Sequence, residues 1–364
     1  MISLLLICLL AILSENLLGV EVETGESSLY FKDQNVSIGY VSITEQTNVY
    51  YQYFQMNKTN PKPGKNELII FIGHNVSESS QKFGYMGYMP YYILKNTSSP
   101  IGLTLEYNEN SLNSIADLVV LDLARGSGFS TNTSPKKIDY ALIADDLDTF
   151  VQRFAEQEKV NLTQKKLIIY AGYEMSMAAI NYASVNNKNA DLIIENPWFG
   201  YSSFSQLYYI LPAYGITNRD GLDMISNNIY NLQSSDYGKD LDDMYDEINQ
   251  IRNYIQNNIS VNWTNPVYQQ DKVEVYGDGA TMFFDDCKLC RAYCSLQKSK
   301  WSGNLTIRQI MKRELVFDYT QDAGKLIKQG NGRVLILQSR ENMMSNLQNF
   351  IEANPLSSSL VVIY

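Results

Sequence analysis

Apolar and polar positions alternate over Gly39-Tyr40-Val41-Ser42-Ile43, and a period of two predicts a strand. Val49-Tyr50-Tyr51-Gln52-Tyr53-Phe54 follows closely enough to be its hairpin partner, and a turn cluster occupies residues 60–65. Short continuous apolar runs at 68–72, 118–122 and 167–171 have the character of strands buried on both faces of a parallel sheet. Between the last two, residues 140–155 carry Leu142, Ile143, Leu147, Phe150, Val151 and Phe154 at helical spacing. A second helix is expected through Ala183, then a strand at Asp191–Glu195. Such alternation predicts an α/β fold with a doubly wound, mostly parallel sheet flanked by helices. From Phe199 the pattern changes to long helical stretches, among them 241–255, and buried-strand character returns at 333–337 and 360–363. The expected organisation is therefore an α/β domain in two parts, 20–198 and 318–364, separated by a helical insertion or cap at 199–317.

Residues 2–13 form an apolar run of 12, long enough for the core of a signal peptide and short of the ~18 a membrane span needs. Cleavage after Gly19 is expected, although no Lys or Arg precedes the run. No later stretch is long and apolar enough to predict a transmembrane segment. Sequons of the N-x-S/T form begin at Asn35, Asn57, Asn75, Asn96, Asn132, Asn161, Asn258, Asn262 and Asn304. Together with the leader they predict an N-glycosylated protein of the secretory pathway, extracellular or in a lysosomal or vacuolar lumen.

Composition narrows the chemistry. At 45% hydrophobic and 19% charged, the 364 residues can bury a sizeable core. A net charge of −10 without a basic stripe speaks against a nucleic-acid partner. His74 is the only histidine, so no histidine-rich metal centre can form; no metal and no cofactor is expected. Cys287, Cys290 and Cys294 have spacings that zinc or redox sites use, yet no histidine or fourth cysteine lies nearby. A local disulfide in an oxidising lumen is the expectation, with the pairing open. The acidic run Asp240, Asp242, Asp243, Asp246 and Glu247 lacks calcium-loop spacing and is expected as a solvated helix face.

One segment carries more specific information. Leu121-Asp122-Leu123-Ala124-Arg125-Gly126-Ser127-Gly128-Phe129-Ser130 resembles a motif of the serine carboxypeptidases, a family of α/β-hydrolase fold. Its Asp, both glycines, Phe and Ser stand at family spacing. Weaker likenesses are collinear with it: Gly39-Tyr40-Val41, the strand Leu68-Ile69-Ile70-Phe71, Gly215-Ile216-Thr217, and Gly330-Asn331-Gly332-Arg333-Val334-Leu335-Ile336. The resemblance implies an α/β-hydrolase-like fold and, in an active member, release of C-terminal residues from peptides by a Ser-His-Asp triad.

Each position at which the resemblance implies chemistry departs from the family. The nucleophile stretch is Gly172-Tyr173-Glu174-Met175-Ser176, so the serine position falls on Glu174, a carboxylate that has no hydroxyl proton to give a histidine base. Ser176 lies two residues later, where an ordinary helix serine is expected. The triad acid position falls on Asn342, and no histidine follows it. The loop implied to supply an oxyanion-hole N–H reads Gly73-His74-Asn75-Val76 and lacks both of the family's glycines and its proline. His74 is expected there as a solvent-exposed loop histidine. The carboxylate-clamp positions read Tyr173 and Gly87. Gly73, Asn75, Gly126, Gly128, Gly172 and Tyr173 remain as pocket remnants.

Two functions follow as expectations. The first is a catalytically degenerate carboxypeptidase homologue that serves as a binding or structural module for another secreted or membrane protein. The second is an active carboxypeptidase or acyl hydrolase acting on peptide through a shifted constellation of Ser176, His74 and either Glu174 or a nearby Asp. It requires the Ser176 hydroxyl to meet a His74 nitrogen.

Overall fold

The computed structural model describes residues 36–56, 66–74, 76, 91–95, 103–107, 111–127, 130–132, 138–200, 219–233, 241–259, 311, 314, 317–338 and 360–363. The alternating N-terminal segments form strands β1 (Val36–Thr44) and β2 (Thr47–Phe54), an antiparallel pair. The apolar runs become β3 (Glu67–Phe71), β6 (Ala116–Leu121), β8 (Lys166–Gly172), β9 (Asp191–Glu195), β10 (Val334–Leu337) and β11 (Leu360–Ile363). Strands β4 (Tyr91–Lys95) and β5 (Leu103–Tyr107) pair only with each other, and the two-residue β7 (Thr131–Asn132) joins β2. Among the described residues the main sheet has nine strands in the order β1-β2-β6-β3-β8-β9-β10-β11, with β7 off this path. From β6 to β11 every pairing is parallel; β2 meets β6 antiparallel.

The continuous apolar runs are explained by burial on both faces. Leu68, Ile70, Val119, Leu121, Ile169, Leu192 and Ile194 point into one core, and Ile69, Phe71, Leu118, Val120 and Tyr170 into the other. Helix α1 (Tyr140–Gln157) covers the first face with Ile143, Leu147, Phe150, Val151 and Phe154. Asp139 caps its start by accepting from the Leu142 N–H at 2.9 Å, the usual partner of an orphan donor in a first turn. The expected second helix is more segmented than its sequence suggests. A 3-10 turn (Tyr173–Met175) precedes α2 (Ser176–Asn181), and a wider turn follows over Tyr182–Asn186. Between the adjacent strands β9 and β10 lie α3 (Arg219–Gln233), α4 (Leu241–Ile259) and α5 (Thr320–Ile327). Asp242, Asp243 and Asp246 are exposed on α4, as a solvated face requires.

The motif segment after β6 is a structural tie. Ser130 Oγ donates to the Asp122 carbonyl at 2.6 Å and accepts from the Tyr50 N–H at 2.8 Å, joining the loop to β2. Gly126 has φ +79°, a conformation that favours glycine. Arg125 makes two 2.7 Å bonds to Asp146 on α1, one from Nε and one from Nη2. Gly128, Asn342, Cys287, Cys290 and Cys294 lie outside the described residues.

Candidate functional site

In this sheet the chain leaves β3 for β6 on one side and returns to β8 on the other. Ligands of open α/β sheets bind at such a switch point, outside the carboxyl ends of the strands. The loops that meet there follow β3 and β8. Backbone bonds lock them together: Gly172 N–H donates to the Gly73 carbonyl and Met175 N–H to the His74 carbonyl, both at 3.0 Å. Gly73 takes φ +104°, which a side chain would resist.

His74 is only 3% exposed, which overturns the expectation of a solvent-exposed loop histidine. The cause is Gly172. A Cβ there would lie 2.0 Å from His74 Cδ2, so the missing side chain is the space the imidazole fills. Gly172 is also in register with Glu195 on β9. His74 Nε2 accordingly faces Glu195 Oε2 at 3.4 Å. The same carboxylate oxygen accepts from the Tyr170 hydroxyl. The Tyr173 ring stands edge-on to the imidazole, with centroids 5.4 Å apart. Tyr170 and Glu195 are not among the site residues that the sequence predicts. The signal that could have found them is the position of each at or near the carboxyl end of a buried parallel strand.

The turn after β8 is strained where a nucleophile elbow is strained, and its left-handed residue is Tyr173, at φ +38°. Glu174, the position that sequence collinearity assigns to the nucleophile, comes one residue later. It is 2% exposed, and its carboxylate accepts a long 3.5 Å bond from the Val76 N–H. Ser176 opens α2 fully buried, and its Oγ has no hydrogen-bond partner among the described residues, His74 included. The structure thus brings His74, Gly73, Gly172, Tyr173 and Glu174 together but does not join Ser176 to the imidazole. Gly126 belongs to the structural loop after β6. Asn75 lies outside the described residues. Among the described residues no three His, Cys, Asp or Glu side chains are grouped to hold a metal ion, and no helix is long and apolar enough to cross a membrane.

No protein-family model matches the chain, and no curated protein sequence matches it. Solved structures do. Kex1(Δ)p, a prohormone-processing carboxypeptidase from Saccharomyces cerevisiae, superposes with a TM-score of 0.61 at 14% identity, over 91% of this chain and 79% of that one. A proline iminopeptidase-related protein from Thermus thermophilus gives 0.46 at 12% identity, over 90% and 88%. A soluble variant of monoglyceride lipase from Saccharomyces cerevisiae gives 0.44 at 14%, over 90% and 84%. The fold of this chain is α/β-hydrolase-like, a mixed sheet flanked by helices. Fold alone assigns no activity.

Proposed function

We propose that this protein is a secreted, N-glycosylated α/β-hydrolase-fold relative of the serine carboxypeptidases that lacks peptidase activity. It serves as a binding or structural module, with another secreted or membrane protein as its partner. The observation that carries the reading is the turn after β8. Whether its elbow residue is taken as the strained Tyr173 or as Glu174, the side chain is a phenol or a carboxylate, and neither supplies a seryl hydroxyl. If Glu174 holds the nucleophile's place, the N–H that would face an oxyanion is that of Met175, and this N–H already donates to the His74 carbonyl. Loss of one oxyanion donor alone lowers turnover by about 10²–10³. The competing reading, a working hydrolase built on Ser176 and His74, needs a contact that the buried Ser176 hydroxyl does not make.

The test is an assay of purified secreted protein on blocked dipeptides, together with labelling by a serine-directed phosphonate. No turnover above the uncatalysed background and no covalent label are expected. Release of C-terminal residues that the phosphonate abolishes would overturn the proposal.

A further inference from the structure

Of the sequon asparagines, Asn132 and Asn161 have described side chains, and they sit in different surroundings. Asn132 is half-buried in β7, where its Oδ1 accepts from the Thr47 hydroxyl at 3.1 Å. Asn161 is exposed at the head of a 3-10 turn (Leu162–Gln164) between α1 and β8. Its Oδ1 accepts from the Thr163 N–H at 3.1 Å and from the Thr163 hydroxyl at 2.7 Å. With the oxygen held inward by these bonds, the planar amide turns Nδ2 away from the turn. Nδ2 makes no hydrogen bond among the described residues, so a substituent on it would break none of them.

We propose that Asn161 carries an N-linked glycan, placed at the end of the sheet remote from the candidate site. The inference rests on the secretory reading above. The donor would be an oligosaccharide linked to a lipid diphosphate. Its sugar C1–O bond breaks, a C1–N bond forms at Nδ2, the amide gives up one proton, and the lipid diphosphate leaves. Asn161 precedes the amino end of β8, whereas Gly172, Tyr173 and His74 gather at its carboxyl end. Seven strand residues at about 3.3 Å each put roughly 20 Å between the two. A glycan rooted there occupies the amino-end surface, away from the locked loops after β3 and β8.

Glycopeptide mass spectrometry on the full chain, secreted from a eukaryotic host and treated with a glycosidase that converts the linked Asn to Asp, tests this. The Asn161 peptide should be occupied in most molecules. N161Q and T163A should each lose one glycan on a gel, and T163S should keep it. If either variant is not secreted, the occupancy of the unaltered chain decides. A bare Asn161 beside other occupied sequons overturns this inference and leaves the secretory reading standing. Bare asparagines at every sequon overturn both.

Discussion

Replacing Asp146 by alanine isolates the tie between the motif loop and α1. Arg125 and Asp146 are 6% and 2% exposed, and their guanidinium and carboxylate share two 2.7 Å bonds. Those hydrogen bonds raise the already high Arg125 pKa, so the arginine stays charged. In D146A a buried cation loses its counter-charge and both of its acceptors. Breaking such a pair costs about 3–5 kcal/mol, most of it the penalty of the abandoned charge. Taking out both partners removes that penalty, so R125M/D146L should be no worse than about 1 kcal/mol from the unaltered protein, despite two changes in the core. The assay is urea unfolding followed by tryptophan fluorescence on D146A, with R125M, D146L and the double variant completing a cycle. A loss in D146A of under about 1 kcal/mol, the range of an exposed surface pair, would refute the reasoning. So would a double variant as unstable as D146A.

Two further outcomes are expected. In G172A the new methyl collides with the His74 ring, so the imidazole must leave its place facing Glu195, at a cost of about 1–3 kcal/mol. Because the chain has one histidine, its single pair of imidazole NMR signals should shift, and unchanged signals would show that the ring does not occupy that space. At alkaline pH, burial is the main cause that raises the Tyr182 phenol to about 12, and burial also lifts Tyr51 and Tyr53 above the ordinary phenol. A proton held more tightly in the folded state means that this stability is complete below the unfolded phenol's pKa of about 10. It is lost as pH rises toward the folded value, so stability should fall from about pH 10 upward, and Y182F should flatten that fall. A stability independent of pH over that window would contradict the burial argument.

The strands were largely legible because their signal is local. A continuous apolar run such as Leu68-Ile69-Ile70-Phe71 is demanded by a strand with a core on each face, and the helical spacing from Ile143 to Phe154 by a helix with one. The β4–β5 pair was not anticipated, and nothing in the spacing of residues 91–107 sets it apart. The likeness around Gly126 found a real structural loop. Arg125, to which the likeness assigns no role, is buried against Asp146, a residue 21 positions away on another element.

What the sequence determined by itself is residue identity: one histidine in the chain, and a glutamate at position 174 in the turn after β8. Composition and residue identity carry that kind of conclusion without coordinates. Only the tertiary structure decided what surrounds His74. A loop residue's exposure depends on what the neighbouring strands present to it. Here the missing Cβ of Gly172 opens the space, β8 and β9 in register bring Glu195 and Tyr170 to its edge, and the left-handed turn at Tyr173 closes it. Those contacts join segments up to about 120 residues apart, and pairings across such separations leave no periodic trace in the chain.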